Sequence, residues 1–300
     1  MRPGIETSTG PRTGSRSGTR EWPISSSSLR WRALQRIARQ QARDAMLGWA
    51  PYLVATLAVL IAVVLVYNAI RFTAESGLNI VANPFSLPLQ SAAGLALLYV
   101  TVEATLAIAR PREHGSLQVL FFAPIDVPVL IGAHFVSGVV VYLLFLLLLA
   151  PPLLLLAGLT NFVVPVALLW GGLLSVLVAG LAVAFGLFLS AAAPSGRAAI
   201  LLLVAATLLL LIVQGGYAAL LNIPPTSRYY DALLFLRVLL RSVHELLLWF
   251  SPFRMLDAIL DAALRADWTA LLQYSGAALA GTAVWLGAAV WALRRRGVLP

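Results

Sequence analysis

Polar and apolar positions along this chain fall into blocks rather than alternating residue by residue. Six stretches, at 51–70, 87–109, 129–150, 164–190, 198–221 and 270–293, are dominated by apolar side chains and carry few charges. At about 1.5 Å of rise per residue, a helix over each of them reaches across the ~30 Å hydrocarbon layer of a bilayer. A strand pattern is absent, and single spans of this length satisfy their backbone only as helices. The pattern therefore predicts an all-α, polytopic membrane protein with six transmembrane helices. The apolar run from Val129 to Leu159 exceeds what one crossing needs. Pro151-Pro152 lies inside it and predicts a break there, followed by a short outer turn around Asn161.

Two further segments have mixed character. Over 29–47, Arg32, Arg36, Arg39 and Arg43 fall within one narrow helical arc, and Trp31, Leu34, Ala38 and Ala45 lie opposite. That is the pattern of an amphipathic helix lying in the headgroup layer of an anionic leaflet. Residues 1–28, rich in Gly, Ser, Thr, Pro and Arg, predict a disordered cytoplasmic tail, and no signal peptide is expected because no apolar core precedes residue 51. Residues 232–250 are almost apolar enough for a seventh span. However, Arg237, Arg241 and Glu245 recur every four residues, and each Arg at mid-membrane costs about 2.5–3.5 kcal/mol. The outer segment 222–268 is therefore read as two amphipathic helices, re-entrant or interfacial, hinged at 251–253. The second carries Arg254, Asp257, Asp261 and Arg265 on one stripe.

Composition narrows the chemistry. Of 300 residues, 60% are hydrophobic and 11% charged; there is no Cys, and all 21 basic residues are Arg. Disulfides, thiolate metal sites, thiol nucleophiles, a phosphate-loop lysine and Schiff-base chemistry are all excluded. Nucleotide energy, if used, must be bound by another chain. The net charge of +9 invites a nucleic-acid reading, but its distribution follows the membrane instead. With both termini cytoplasmic, 15 Arg lie inside and six outside, and segment 222–268 balances five Arg with five acids. This obeys the positive-inside rule for six crossings and leaves membrane lipids, not nucleic acid, as the partner of the positive charge. His134, in an apolar run, reads as a helix-to-helix hydrogen bonder, and His114 and His244 as surface residues. No clustered ligand set predicts a metal, and no cofactor is expected in this chain.

Within the spans, Glu103 is the ionisable residue that lies well inside. An intramembrane carboxylate points to function because its burial is costly without a partner or water. It is placed either on a polar cavity with Thr101 and Thr105 or paired with Arg110, seven residues on. Tyr67, Asn68, Gln90, Gln214 and Tyr217 gather near the expected outer halves of spans one, two and five, where a substrate path or plain interhelical hydrogen bonding would use them. Gly171, Ser175 and Ala179, and likewise Ala277 and Gly281, are spaced for close helix packing.

The junction between spans two and three, "REHGSLQVLFFAPIDVP" at 112–128, is too polar at its start to cross and too apolar for an ordinary loop. Leu117, Leu120 and Phe121 share a helical face, and Pro124 and Pro128 end the element. Such a foot suits a groove on a partner protein. Its order of Arg112, Glu113, Gly115, Ser116, Leu117, Pro124 and Gly132 resembles the permeases of ABC-2-type transporters. Gln118 and Ala133 depart from that pattern where the family often has Glu and Lys. The resemblance covers 29–296 and implies a permease domain over 48–296, a coupling helix at about 112–127 and a separate ATPase subunit that binds ATP. It further implies a homodimer or paired permease whose spans one, two and five flank the dimer axis, acting as an exporter in a bacterial cell membrane. Arg112, Glu113, His114, Gly115, Leu117, Leu120 and Phe121 are then the coupling residues. A weaker resemblance, through the junction and "FSPF" at 250–253, is to haem-exporter permeases. The competing classes are an integral membrane enzyme, for which no nucleophile–base pair is evident, and a scaffold or channel, for which the foot would have no use.

Overall fold

In lipid a backbone amide has no water to bond, so an apolar chain closes its own hydrogen bonds as helix. The computed structural model describes residues 26–76, 85–115, 126–160, 165–223 and 233–296, and among them it is helical throughout with no strand. The order is α1 (Ser26–Leu47), α2 (Ala50–Ser76), α3 (Ser86–Leu106), the short α4 (Ala109–Glu113), α5 (Val127–Thr160), α6 (Val166–Ala192), α7 (Gly196–Leu221), α8 (Leu234–Phe250), α9 (Pro252–Leu264) and α10 (Trp268–Arg296). Six of these, α2, α3 continued by α4, α5, α6, α7 and α10, are long and apolar enough to cross a membrane. The six expected spans match them one for one. Helix α1 reaches back to Ser26, three residues before its expected start; the expected tail over residues 1–25 lies outside the described residues.

One expectation is corrected. Helix α5 does not stop at Pro151-Pro152; it continues through both to Thr160, 34 residues in all. Each proline removes one N–H, yet an open backbone at membrane depth would orphan several polar groups, so continuing the helix costs less. Its last turn is closed by the Thr160 hydroxyl, which donates to the carbonyls of Leu156 at 2.8 Å and Ala157 at 3.2 Å. The expected turn around Asn161 lies outside the described residues.

Helix α6 sits at the centre, packed against α3, α5, α7, α9 and α10. Lipid tails are as apolar as Leu, so close backbone approach and dispersion hold such a core together. Small residues allow the approach. A Cβ on Gly186 would meet the carbonyl oxygen of Thr101 at 2.7 Å, and one on Gly281 would meet Leu181 at 2.8 Å. The Gly171–Ser175–Ala179 spacing read from sequence falls on this core: Gly171 lies under Leu260 and Ala263 of α9, and the Ser175 hydroxyl bonds that of Tyr142 on α5 at 2.9 Å.

At one end of the bundle, α8 and α9 meet at Ser251, with Pro252 opening α9 where its missing N–H goes unmissed. Helix α9 buries Met255, Leu256, Ile259 and Leu260 against α3, α6 and α10. Arg237 of α8 reaches the end of α7 and donates to the carbonyls of Leu220 at 2.7 Å and Leu221 at 3.5 Å. A cation is favourable at the negative end of a helix, which gives this arginine a place off the hydrocarbon centre. At the other end, α1 lies on the start of α5, with Leu34 over Gly132 and Ala38 and Ala42 buried, while Arg32, Arg36, Arg39 and Arg43 stay exposed.

Candidate functional site

The end of the bundle that carries α1 and α4 holds two constructions: a hydrogen-bonded clamp and a cavity beside it. The clamp begins where α3 gives way to α4. The chain turns at Ala107 and Ile108, which frees the N–H groups of Ile108 and Ala109. Both donate to the buried hydroxyl of Ser190 near the end of α6, at 3.0 and 2.9 Å. One turn on, the Arg112 guanidinium donates to the carbonyls of Ala191 at 3.3 Å and Ala193 at 2.6 Å. These are the carbonyls that the end of α6 leaves without helical partners.

Glu113 completes the grip from the other side. Its Oε2 accepts from the N–H of Gly196 at 3.0 Å, while Ser195 Oγ accepts from Ala198 N–H at 3.3 Å. The N-terminus of α7 is thus capped by two side chains, one of them an anion at the positive end of the helix dipole. Gly196 fits because a Cβ there would press within 3.3 Å of both Arg110 and Glu113. Arg112 and Glu113, adjacent in sequence, hold the last carbonyls of one span and the first amides of the next. His114 then ends α4, its Nδ1 2.9 Å from the Arg110 carbonyl oxygen, and Gly115 adopts φ +71°. That left-handed turn favours glycine. Of the foot's other residues, Leu117, Leu120 and Phe121 lie outside the described residues.

The cavity, about 640 Å³, opens between α1, the start of α2, α3, α4 and the start of α5. Asp44, Glu103 and Arg110 are its charged lining groups, joined by Gln41, Tyr99 and His134. His134 meets Gln41 across α1 and α5 at 3.4 Å between side-chain nitrogens, in line with its expected role as a helix-to-helix bonder. The Gln41 carbonyl oxygen is buried and accepts no hydrogen bond from the described residues. Glu103 and Arg110 share this space without forming an ion pair. Thr101 and Thr105 are not brought to Glu103. They are buried on the opposite side of α3 against Gly186, each hydroxyl donating back to a carbonyl in its own helix, Leu97 at 2.6 Å and Thr101 at 2.7 Å.

The remaining candidates lie apart. Gln90 donates to the Asp257 carboxylate and so ties α3 to α9. Burial pushes the Asp257 carboxyl above its ordinary range, against the opposing pull of that bond and of Arg254. Asn68 is exposed on α2, and Gln214 and Tyr217 are half-buried on α7. Sequence reasoning missed Ser190, Ser195, Gly196 and Asp44. Ser195 had a signal, since Ser-Gly after a proline ahead of an apolar run marks a helix start. Ser190 had none, because its partners are more than 80 residues away.

Six apolar crossings, with α6 at their centre and a hydrogen-bonded clamp at one end, define a polytopic helical membrane protein. The model of the ABC-2 type transporter family matches residues 29–248, most of the chain, and the protein belongs to that family: it is a membrane permease of the ATP-binding cassette class. No curated protein matches the chain.

Proposed function

We propose that the chain is the membrane-spanning subunit of an ABC exporter, driven by a separate ATPase subunit that docks on the 112–127 foot. The observation that carries this reading is the grip of α4 on the α6–α7 turn. Force applied just beyond Gly115 enters a segment that holds the ends of two spans through Arg112 and Glu113. ATP is bound by the partner, and this chain supplies no cofactor or catalytic group. The clamp end is cytoplasmic, with both termini there, because Arg110, Arg112, Arg197 and Arg294 to Arg296 crowd it.

The subunit works as a dimer, with itself or with a second permease. Helices α2 and α7 leave Leu57, Leu60 and Val64, and Leu201, Leu208 and Ile212, exposed among the described residues. In the dimer these faces flank the substrate path, to which Asn68, Gln214 and Tyr217 contribute polar groups. The test is affinity isolation from native membranes. ATPase activity should accompany the chain and fall on Gly115→Pro, which forbids the positive φ, or on Phe121→Asp. Unchanged activity in both variants would count against the foot.

A further inference from the structure

We propose that the cavity between α1, α3 and α5 binds an apolar organic cation, with Glu103 and Asp44 holding its charge; as the cargo or regulator of a permease, this ligand rests on the function proposed above. At about 640 Å³ the space suits a drug-sized molecule. Its charged lining comprises two carboxylates, from α1 and α3, and one guanidinium, from α4. Among the described residues neither carboxylate forms an ion pair, and the chain has no lysine to supply one. Arg110 lies on α4, beyond the turn at Ala107 and Ile108, and among the described residues it forms no ion pair with Glu103.

Glu103 and Asp44 are both exposed where they line the cavity, so a cation that enters it meets their charge directly. His134 is engaged with Gln41, which leaves Glu103, Asp44 and Arg110 as the charges facing the space, two negative to one positive. Apart from Ser137 and backbone, the rest of the wall is apolar or aromatic. Val100, Leu106 and Val141 would take the body of the ligand, and the rings of Tyr99 and Trp49 are attractive to a positive centre. An anion of the same shape would meet two carboxylates for one arginine.

The experiment compares two rigid ions of equal shape and opposite charge, tetraphenylphosphonium and tetraphenylborate, binding to the purified full chain in detergent micelles. The phosphonium ion should bind more tightly, by about tenfold relative to the same ratio in Glu103→Gln, one lost charge interaction being worth about that factor. Asp44→Asn, on a different helix, should lower the ratio in the same direction, and Arg110→Gln should raise it. Taking the ratio cancels both micelle partitioning and any loss of folded protein. Equal ratios in the wild type and both carboxamide variants, or a fall with Arg110→Gln, would overturn the assignment. Because no ATPase is present, this outcome is independent of whether a motor docks on the foot.

Discussion

Ser190 shows how one side chain can hold a junction together. Its hydroxyl is the acceptor for two backbone amides that the break between α3 and α4 would otherwise orphan in a buried place. Leaving a buried donor unsatisfied costs about 1–3 kcal/mol. Ser190→Ala should therefore lower unfolding stability by about 2–4 kcal/mol, read from denaturant titration in detergent, whereas a surface serine variant such as Ser242→Ala should change little. At the neighbouring cap, Glu113→Ala should weaken the start of α7 by about 1 kcal/mol, with Glu113→Gln recovering part of it through the same acceptor geometry. Glu103 shows what spacing can and cannot reveal. That a carboxylate sits on a span was legible from its type and position. Its company was not, because Thr101 and Thr105 lie about 200° around the helix from it, and only the packing of α6 decides which face of α3 is buried. Asp44 gave still less warning: it stays exposed on an Arg-rich helix, and only the packing of α1 on α5 brings it to the cavity.

Among the elements, the spans were the most legible feature, since about 20 apolar residues leave no other fold in lipid. The split of 232–268 into two amphipathic helices was also readable, from Arg237, Arg241 and Glu245 on one side of Ser251 and from Pro252 on the other. The passage of α5 through Pro151-Pro152 was not, because proline rules drawn from water overstate breakage where an exposed backbone is costly. Contacts between elements support two predictions. Gly186→Leu should separate α3 from α6 and destabilise the protein by about 3 kcal/mol or more, while Gly158→Leu, which faces open space on α5, should be tolerated. Asp257 gives a pH dependence with a definite sign. Its folded-state carboxyl is raised, so the folded protein binds this proton more tightly than the unfolded chain, and stability is lost as pH rises through that raised value. Asp257→Asn keeps an acceptor for Gln90 and should melt higher than the wild type near neutral pH, with the gap closing in mild acid.

For the whole molecule, the physical claim is that a six-span bundle with no energy source of its own is moved through one end. The central helix α6 touches five others, so on the function proposed above a displacement of its terminal carbonyls by Arg112 would pass to α3, α5, α7, α9 and α10 together. The peripheral α2 and α7, with apolar faces free for lipid or a second copy, are the spans whose surroundings a pull on the α6–α7 turn would change most. The chain contains no cysteine, so a single introduced thiol reports its neighbours without background. Cross-linking in native membranes from Leu120→Cys on the foot, beside Leu239→Cys on α8 at the opposite end, tests the claim most directly. The account predicts a cross-linked product containing a nucleotide-binding ATPase subunit from position 120 and none from position 239; capture from both positions, or from neither, would contradict it.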